Sequence, residues 1–96
     1  MNTNNRVYDA ILINQIDNVI TSIRSLKKDQ VINIKVNEKI IKIRLIDDIP
    51  ICHKISINEI KIGENIKKYG EVIGIAFNFI NKGSHVHIHN VKSLRG

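Results

Sequence analysis

Isoleucine dominates this chain in a way that limits its folds: 22 Ile, 7 Val and 2 Thr make 31 of 96 residues β-branched, against 4 Leu and 2 Ala. β-Branched side chains lose χ1 freedom against the preceding helical turn and sit well on a pleated surface, so the chain is expected to be mainly β. Its length allows one small domain and excludes a large, multi-layered enzyme. The one cysteine, Cys52, rules out an internal disulfide and with it a disulfide-stapled secreted module. Flanked by apolar residues, it reads as a buried small hydrophobe rather than a nucleophile. No run approaches the roughly 20 apolar residues of a membrane span. The polar start, Met1 to Arg6, lacks the apolar stretch of a signal peptide, so a cytoplasmic protein is expected. Net charge is +6, but the lysines are scattered and 2 Tyr with 2 Phe offer few stacking platforms, so no nucleic-acid partner is expected.

Residues 1–8 read as a flexible N-terminus and residues 9–96 as a single domain of short strands. Val31 to Val36 alternates with period two, Asn37-Glu38 reads as a two-residue turn, and Lys39 to Leu45 returns as the second arm of a hairpin. Asp47-Asp48-Ile49-Pro50 ends that strand, with the aspartates expected to take local backbone hydrogen bonds. A weak repeat follows. Ile55 to Ile66 aligns with Ile75 to Val86 and, more loosely, with Thr21 to Ile32. Each copy places an apolar residue (Leu26, Ile60, Ile80) in a single helical turn, then Asp29, Gly63 or Gly83 three positions on to supply a left-handed φ, then a new strand. Short, twisted strands with single helical turns between them are the expected architecture.

The densest chemistry is His85-Val86-His87-Ile88-His89-Asn90-Val91. On a strand, alternation sends the three imidazoles to one face and Val86, Ile88 and Asn90 to the other. A His-x-His pair places two nitrogens within reach of one metal ion; the other reading is a polar strand face bonded to neighbours or water. No carboxylate or cysteine stands nearby, so a closed metal site needs a further chain. His53-Lys54 on a loop suits recognition of a carboxylate or phosphate, the imidazole also carrying protons near neutral pH. Lys67-Lys68-Tyr69-Gly70-Glu71 puts two cations, a phenol and a glycine in one turn, and the lysine pairs read as solvated. The glycine spacing fits neither a phosphate-binding loop nor a dinucleotide fingerprint.

Taken together, Asp17-Asn18-Val19, the Pro50 to Ile55 run, Ile60 and Gly63, Lys68 to Ala76, Ile80 and Gly83, and Val86 to Val91 resemble the N-terminal SAF domain of altronate and galactarate dehydratases. The likeness extends to the separate small subunit of sulfolactate sulfo-lyase. It implies a β-clip fold and a small subunit of a sugar-acid hydro-lyase, inactive alone, completing its site with a large subunit. In that frame His53, His87 and His89 are the catalytic candidates and Lys54, Tyr69, Gly70 and Asn90 the substrate-binding ones. The metal candidates are His87 and His89, completed by the partner. The implied cofactor is divalent iron or manganese, held mainly by the large subunit. Other readings are a sulfite-releasing lyase subunit or a non-catalytic module binding carbohydrate or protein; a homo-oligomer is compatible with each. The family usually carries glycine where Asp29 and Cys52 stand, and His85 falls at a position variable in the family, so His85 is left to solvent.

Overall fold

The computed structural model describes residues 9–12, 14–36 and 38–94. The expected flexible segment 1–8 and the turn residue Asn37 lie outside the described residues. Nine strands run in chain order: β1 (Ala10–Ile11), β2 (Val19–Ser22), β3 (Val31–Val36), β4 (Lys39–Arg44), β5 (Lys54–Ser56), β6 (Asn65–Lys68), β7 (Glu71–Ala76), β8 (His85–Val86) and β9 (Val91–Ser93). No described residue is helical. The strands pair antiparallel in three sheets, ordered β1-β2-β5-β8, β3-β4 and β6-β7-β9. The fold is therefore mainly β, as expected, and has the character of a small β-clip.

The four-stranded sheet is the middle layer. Val19 and Ile20 are neighbours on β2 and point to opposite faces, yet both are fully buried, because each face carries a separate core. Ile20 and Ile55 pack with Leu26, Ile32, Ile34, Ile43 and Leu45 against the β3-β4 hairpin. Val19 and Val86 pack with Ile60, Ile66, Ala76 and Ile80 against β6 and β7. Burying each such side chain contributes about 1.5–3 kcal/mol, which lets strands of two to six residues hold their places. The hairpin follows the expected register, with Val36 opposite Lys39.

The repeat is present as geometry, with one correction. Leu26, Ile60 and Ile80 are about 1 % exposed and plug the core. They do so through single β-bridges, Leu26 to Ile49 and Ile60 to Ile80, rather than from helical turns. The turn that follows is closed by Gln30 N donating to Lys27 O, Glu64 N to Lys61 O and Ser84 N to Asn81 O. Its third residue is Asp29, Gly63 or Gly83, with φ of 74°, 89° and 88°, the type II arrangement. Pro50 to His53 repeats it a fourth time: His53 N donates to Pro50 O and Cys52 takes φ 69°. Cys52 is exposed, not buried as expected, since a residue at the corner of such a turn points outward.

Candidate functional site

β5 and β8 build the histidine cluster. Lys54 lies opposite Val86 and Ile55 opposite His85, and continuing that antiparallel register brings His53 opposite His87. The His53 ring centroid lies 4.5 Å from that of His87 and 5.0 Å from that of His85. His53 Nδ1 and His85 Nε2 are 2.8 Å apart and share a hydrogen bond. His89 stands 5.2 Å from His85, ring to ring. β8 ends at Val86, so strand alternation does not align these rings. Residues 87–90 form a turn instead, with Asn90 N and Val91 N both donating to His87 O. Asn90 fixes that turn: its Oδ1 accepts from His87 N and its Nδ2 donates to His85 O. Asn90 is 6 % exposed, with both ends of its amide engaged with the backbone that carries His85 and His87. Asp47 reaches across the chain, accepting from His85 N, where only local bonds were expected.

Beside the cluster lies a groove of about 590 Å³ lined by Thr21, Cys52, Lys54, Lys68, Tyr69, Glu71 and Ile73. A second recess of about 310 Å³ shares Lys54 and Ile73 and continues to His87 and Ile88. Lys54 therefore stands between the lysine-tyrosine turn and the imidazoles. Thr21 pairs with Lys54 across β2 and β5, and its buried Oγ1 makes no hydrogen bond. Tyr69 and Gly70 connect β6 to β7 as a two-residue loop, with φ of 57° and 74°. Positive φ at both positions defines the type I′ hairpin turn, which glycine enters freely and tyrosine does not. The buried Asp17 carboxylate holds it there, accepting from Tyr69 N at 3.0 Å, Gly70 N at 2.8 Å and Asn14 N at 3.1 Å.

Burial sets the electrostatics. Lys68, expected on a solvated face, is only 4 % exposed, and its Nζ lies 4.2 Å from the Tyr69 ring centroid, which covers it. Desolvation holds its ammonium below the usual lysine value, with the Asp17 carboxylate opposing. His85 is displaced below the ordinary imidazole value by desolvation, then by His53, His89 and His87, with Asp47 opposing. His87 is displaced the same way by lost hydration and by the charges of His53, Lys54 and His89. Both therefore favour the neutral imidazole, the form that accepts a proton or ligates a metal. One ring nitrogen each of His53, His85 and His87 fall within 4.8 Å of one another, so the donor set fits a divalent transition metal.

The structure thus gathers His53, Lys54 and His87 at one place, sets Tyr69 on the groove with Gly70 beside it in the turn, and leaves the His89 ring 5.2 Å from that of His85. It corrects the exclusion of His85, which is half-buried at the centre of the cluster rather than left to solvent. The β5-β8 register is the signal that finds it, since any residue two before His87 on that edge must stand beside His53. Thr21, Asp17 and Asp47 also escaped the sequence reading of the site.

Comparison with known proteins identifies the family. The family model described as the altronate/galactarate dehydratase SAF domain matches residues 8–94. The chain is similar to altronate dehydratase of Bacillus subtilis, 36 % identical over 83 residues, covering 86 % of this chain but 16 % of that enzyme. It is similar over the same span to altronate dehydratase of Escherichia coli, at 32 % identity and again 16 % of the enzyme. It also resembles the (2R)-sulfolactate sulfo-lyase subunit alpha of Chromohalobacter salexigens, 45 % identical over 49 residues that cover 51 % of this chain and 52 % of that subunit. The chain thus spans a small part of the dehydratases and about half of the lyase subunit. No described helix is long and apolar enough to cross a membrane. With the family model spanning nearly the whole chain, this protein belongs to the altronate/galactarate dehydratase SAF-domain family.

Proposed function

We propose that this chain is the SAF-domain partner in a two-chain lyase, presenting imidazoles and lysines to a hydroxy-acid carboxylate in a site that a larger dehydratase-like chain completes. The observation that carries this reading is the continuity of the groove: Lys54 stands between Lys68 and Tyr69 on one side and His87 on the other. Lys54 anchors the carboxylate. His87, neutral and exposed, accepts the proton α to the carboxylate as the C–H bond breaks; His53 lies against it to take part in proton transfer. The β-hydroxyl then leaves as water on receiving a proton, and the resulting enol tautomerises to a 2-keto-3-deoxy acid. Iron or manganese held mainly by the large chain would stabilise the enolate charge when bound.

The sulfo-lyase relative is itself named as a subunit, subunit alpha, and it is matched at 45 % identity over 49 residues. For that reason expulsion of sulfite from a sulfonated hydroxy acid is the second reading. The test is reconstitution. The chain is mixed with a large dehydratase-like chain, and 2-keto acid from altronate or galactarate is followed alongside sulfite from (2R)-sulfolactate. Turnover is expected only with both chains present. A large chain equally active alone overturns the proposal, and one whose KM alone responds makes this chain a binding module.

A further inference from the structure

The histidine cluster has the form of a ligand set complete within one chain. His53 enters from the turn before β5, His85 from β8 and His87 from the turn after it, and one ring nitrogen of each lies within 4.8 Å of the others. His53 Nδ1 and His85 Nε2, 2.8 Å apart, have room for one proton between them and no more. A doubly protonated pair would aim two N–H groups at each other. A cation in that place engages both lone pairs at once. Imidazole nitrogens bind such an ion at about 2.0–2.1 Å, which puts ligand atoms roughly 3 Å apart. The His53 and His85 nitrogens already have that spacing, and the third has less than about 2 Å to close, within the reach of an imidazole rotation.

The backbones beneath the rings are fixed. Ser22 N donates to His53 O, Asp47 Oδ2 accepts from His85 N, and Asn90 holds both His85 O and His87 N. Pre-set ligands of this kind lose little entropy on binding, and the Asp47 carboxylate beside His85 favours a cation. Three imidazoles without carboxylate select zinc, cobalt, nickel or ferrous ions over magnesium and calcium.

We propose that His53, His85 and His87 form a three-imidazole site for a divalent transition-metal ion, held by this chain without help from a partner. His89 is not among the three residues whose nitrogens converge; its ring centroid lies 5.2 Å from that of His85. A three-ligand site keeps a position open, and His87 shares its recess with Lys54, so an anion taken up there sits beside an ammonium. The site needs no large chain, and an ion bound there occupies the His87 lone pair that the lyase reading uses as a base, so the two uses of His87 are alternatives.

The test uses the tag-free, metal-stripped chain alone, titrated with Co²⁺ and then Zn²⁺, with visible absorption and direct metal analysis as readouts. One equivalent of Co²⁺ with tetrahedral or five-coordinate d–d bands, displaced by Zn²⁺, is expected. His85→Gln and His53→Gln should each weaken Zn²⁺ at least about tenfold, since even outer-shell losses cost 10- to 100-fold; His89→Gln should leave it within about twofold. Urea midpoints establish that each variant folds. In the unaltered chain, ¹⁵N shifts of the His53, His85 and His87 rings should move on Zn²⁺ addition while those of His89 hold. Absence of stoichiometric binding, unimpaired binding by folded His85→Gln, or ring shifts led by His89 would overturn the site. Reconstitution of turnover is measured separately, so either proposal can fail without the other.

Discussion

Replacing Asp17 with alanine tests whether one buried carboxylate holds the lysine-tyrosine turn against the groove. Asp17 is 3 % exposed and accepts from three backbone N–H groups: those of Tyr69 and Gly70 across the chain and that of Asn14 locally. Asn14 is exposed, so its N–H regains water when the carboxylate goes. The other two belong to a turn whose first residue is a tyrosine at φ 57°, a conformation costing about 1–2 kcal/mol for an L-residue. A hydrogen bond to a charged acceptor contributes about 1.5–3 kcal/mol, and partial hydration of the half-open turn recovers some of two such losses. The expected cost is about 3 kcal/mol, a large share of the 5–15 kcal/mol that holds a domain of this size. In thermal unfolding that is a fall in Tm of roughly 10–20 °C. Asp17→Asn keeps the shape but aims an N–H₂ at one of the two donors, and should fall between wild type and alanine. The paired assay is urea unfolding with the Gly70 amide followed by NMR; that resonance should lose its strongly hydrogen-bonded shift in both variants. A loss below about 1 kcal/mol for Asp17→Ala, with an unmoved Gly70 amide, would refute the tether.

Cys52→Gly should raise stability by about 0.5–1 kcal/mol, read as a higher urea midpoint, because relief of the left-handed strain at φ 69° exceeds the extra entropy glycine holds in the unfolded chain. Cys52→Ala, which removes the thiol but keeps the Cβ, should leave the midpoint unchanged, and an equal gain there would assign the effect to sulfur. Lys68 supplies the pH dependence: desolvation holds its folded value below 10.5, so between that value and 10.5 the unfolded chain binds more protons and stability rises with pH. Asp17, Tyr69, Lys54 and Glu71 surround it, so the rise is read as the difference between wild type and Lys68→Met. Lys68→Met should match or exceed wild-type stability at pH 7 and lose the alkaline rise; a marked loss at pH 7 would mean that the ammonium has a partner stronger than the Tyr69 face.

Features that a few consecutive residues decide were legible in the sequence. The repeat was visible because a left-handed φ three residues after an apolar plug is a local demand, met twice by glycine and once by Asp29. The β3-β4 hairpin was visible because period-two alternation survives wherever one face is buried and the other is wet. β2 is less distinct for the converse reason: it is covered on both faces, so Val19-Ile20 carries no alternation. Lys68 looked solvated because its cover comes from Tyr69 folded back by a carboxylate 52 positions before that tyrosine, a relation no window contains. The histidines show both limits together. The resemblance points to His87 and His89, whose alternate spacing is that of a strand although the strand stops at Val86; the pairing of β5 with β8 makes His85 the ring that touches all the others. Register between strands thirty residues apart therefore decides which imidazoles meet. That places the chemistry of this domain in its topology: the same residues on a β8 slipped by one position would turn His85 to the opposite face and dissolve the cluster without changing a letter of the sequence motif.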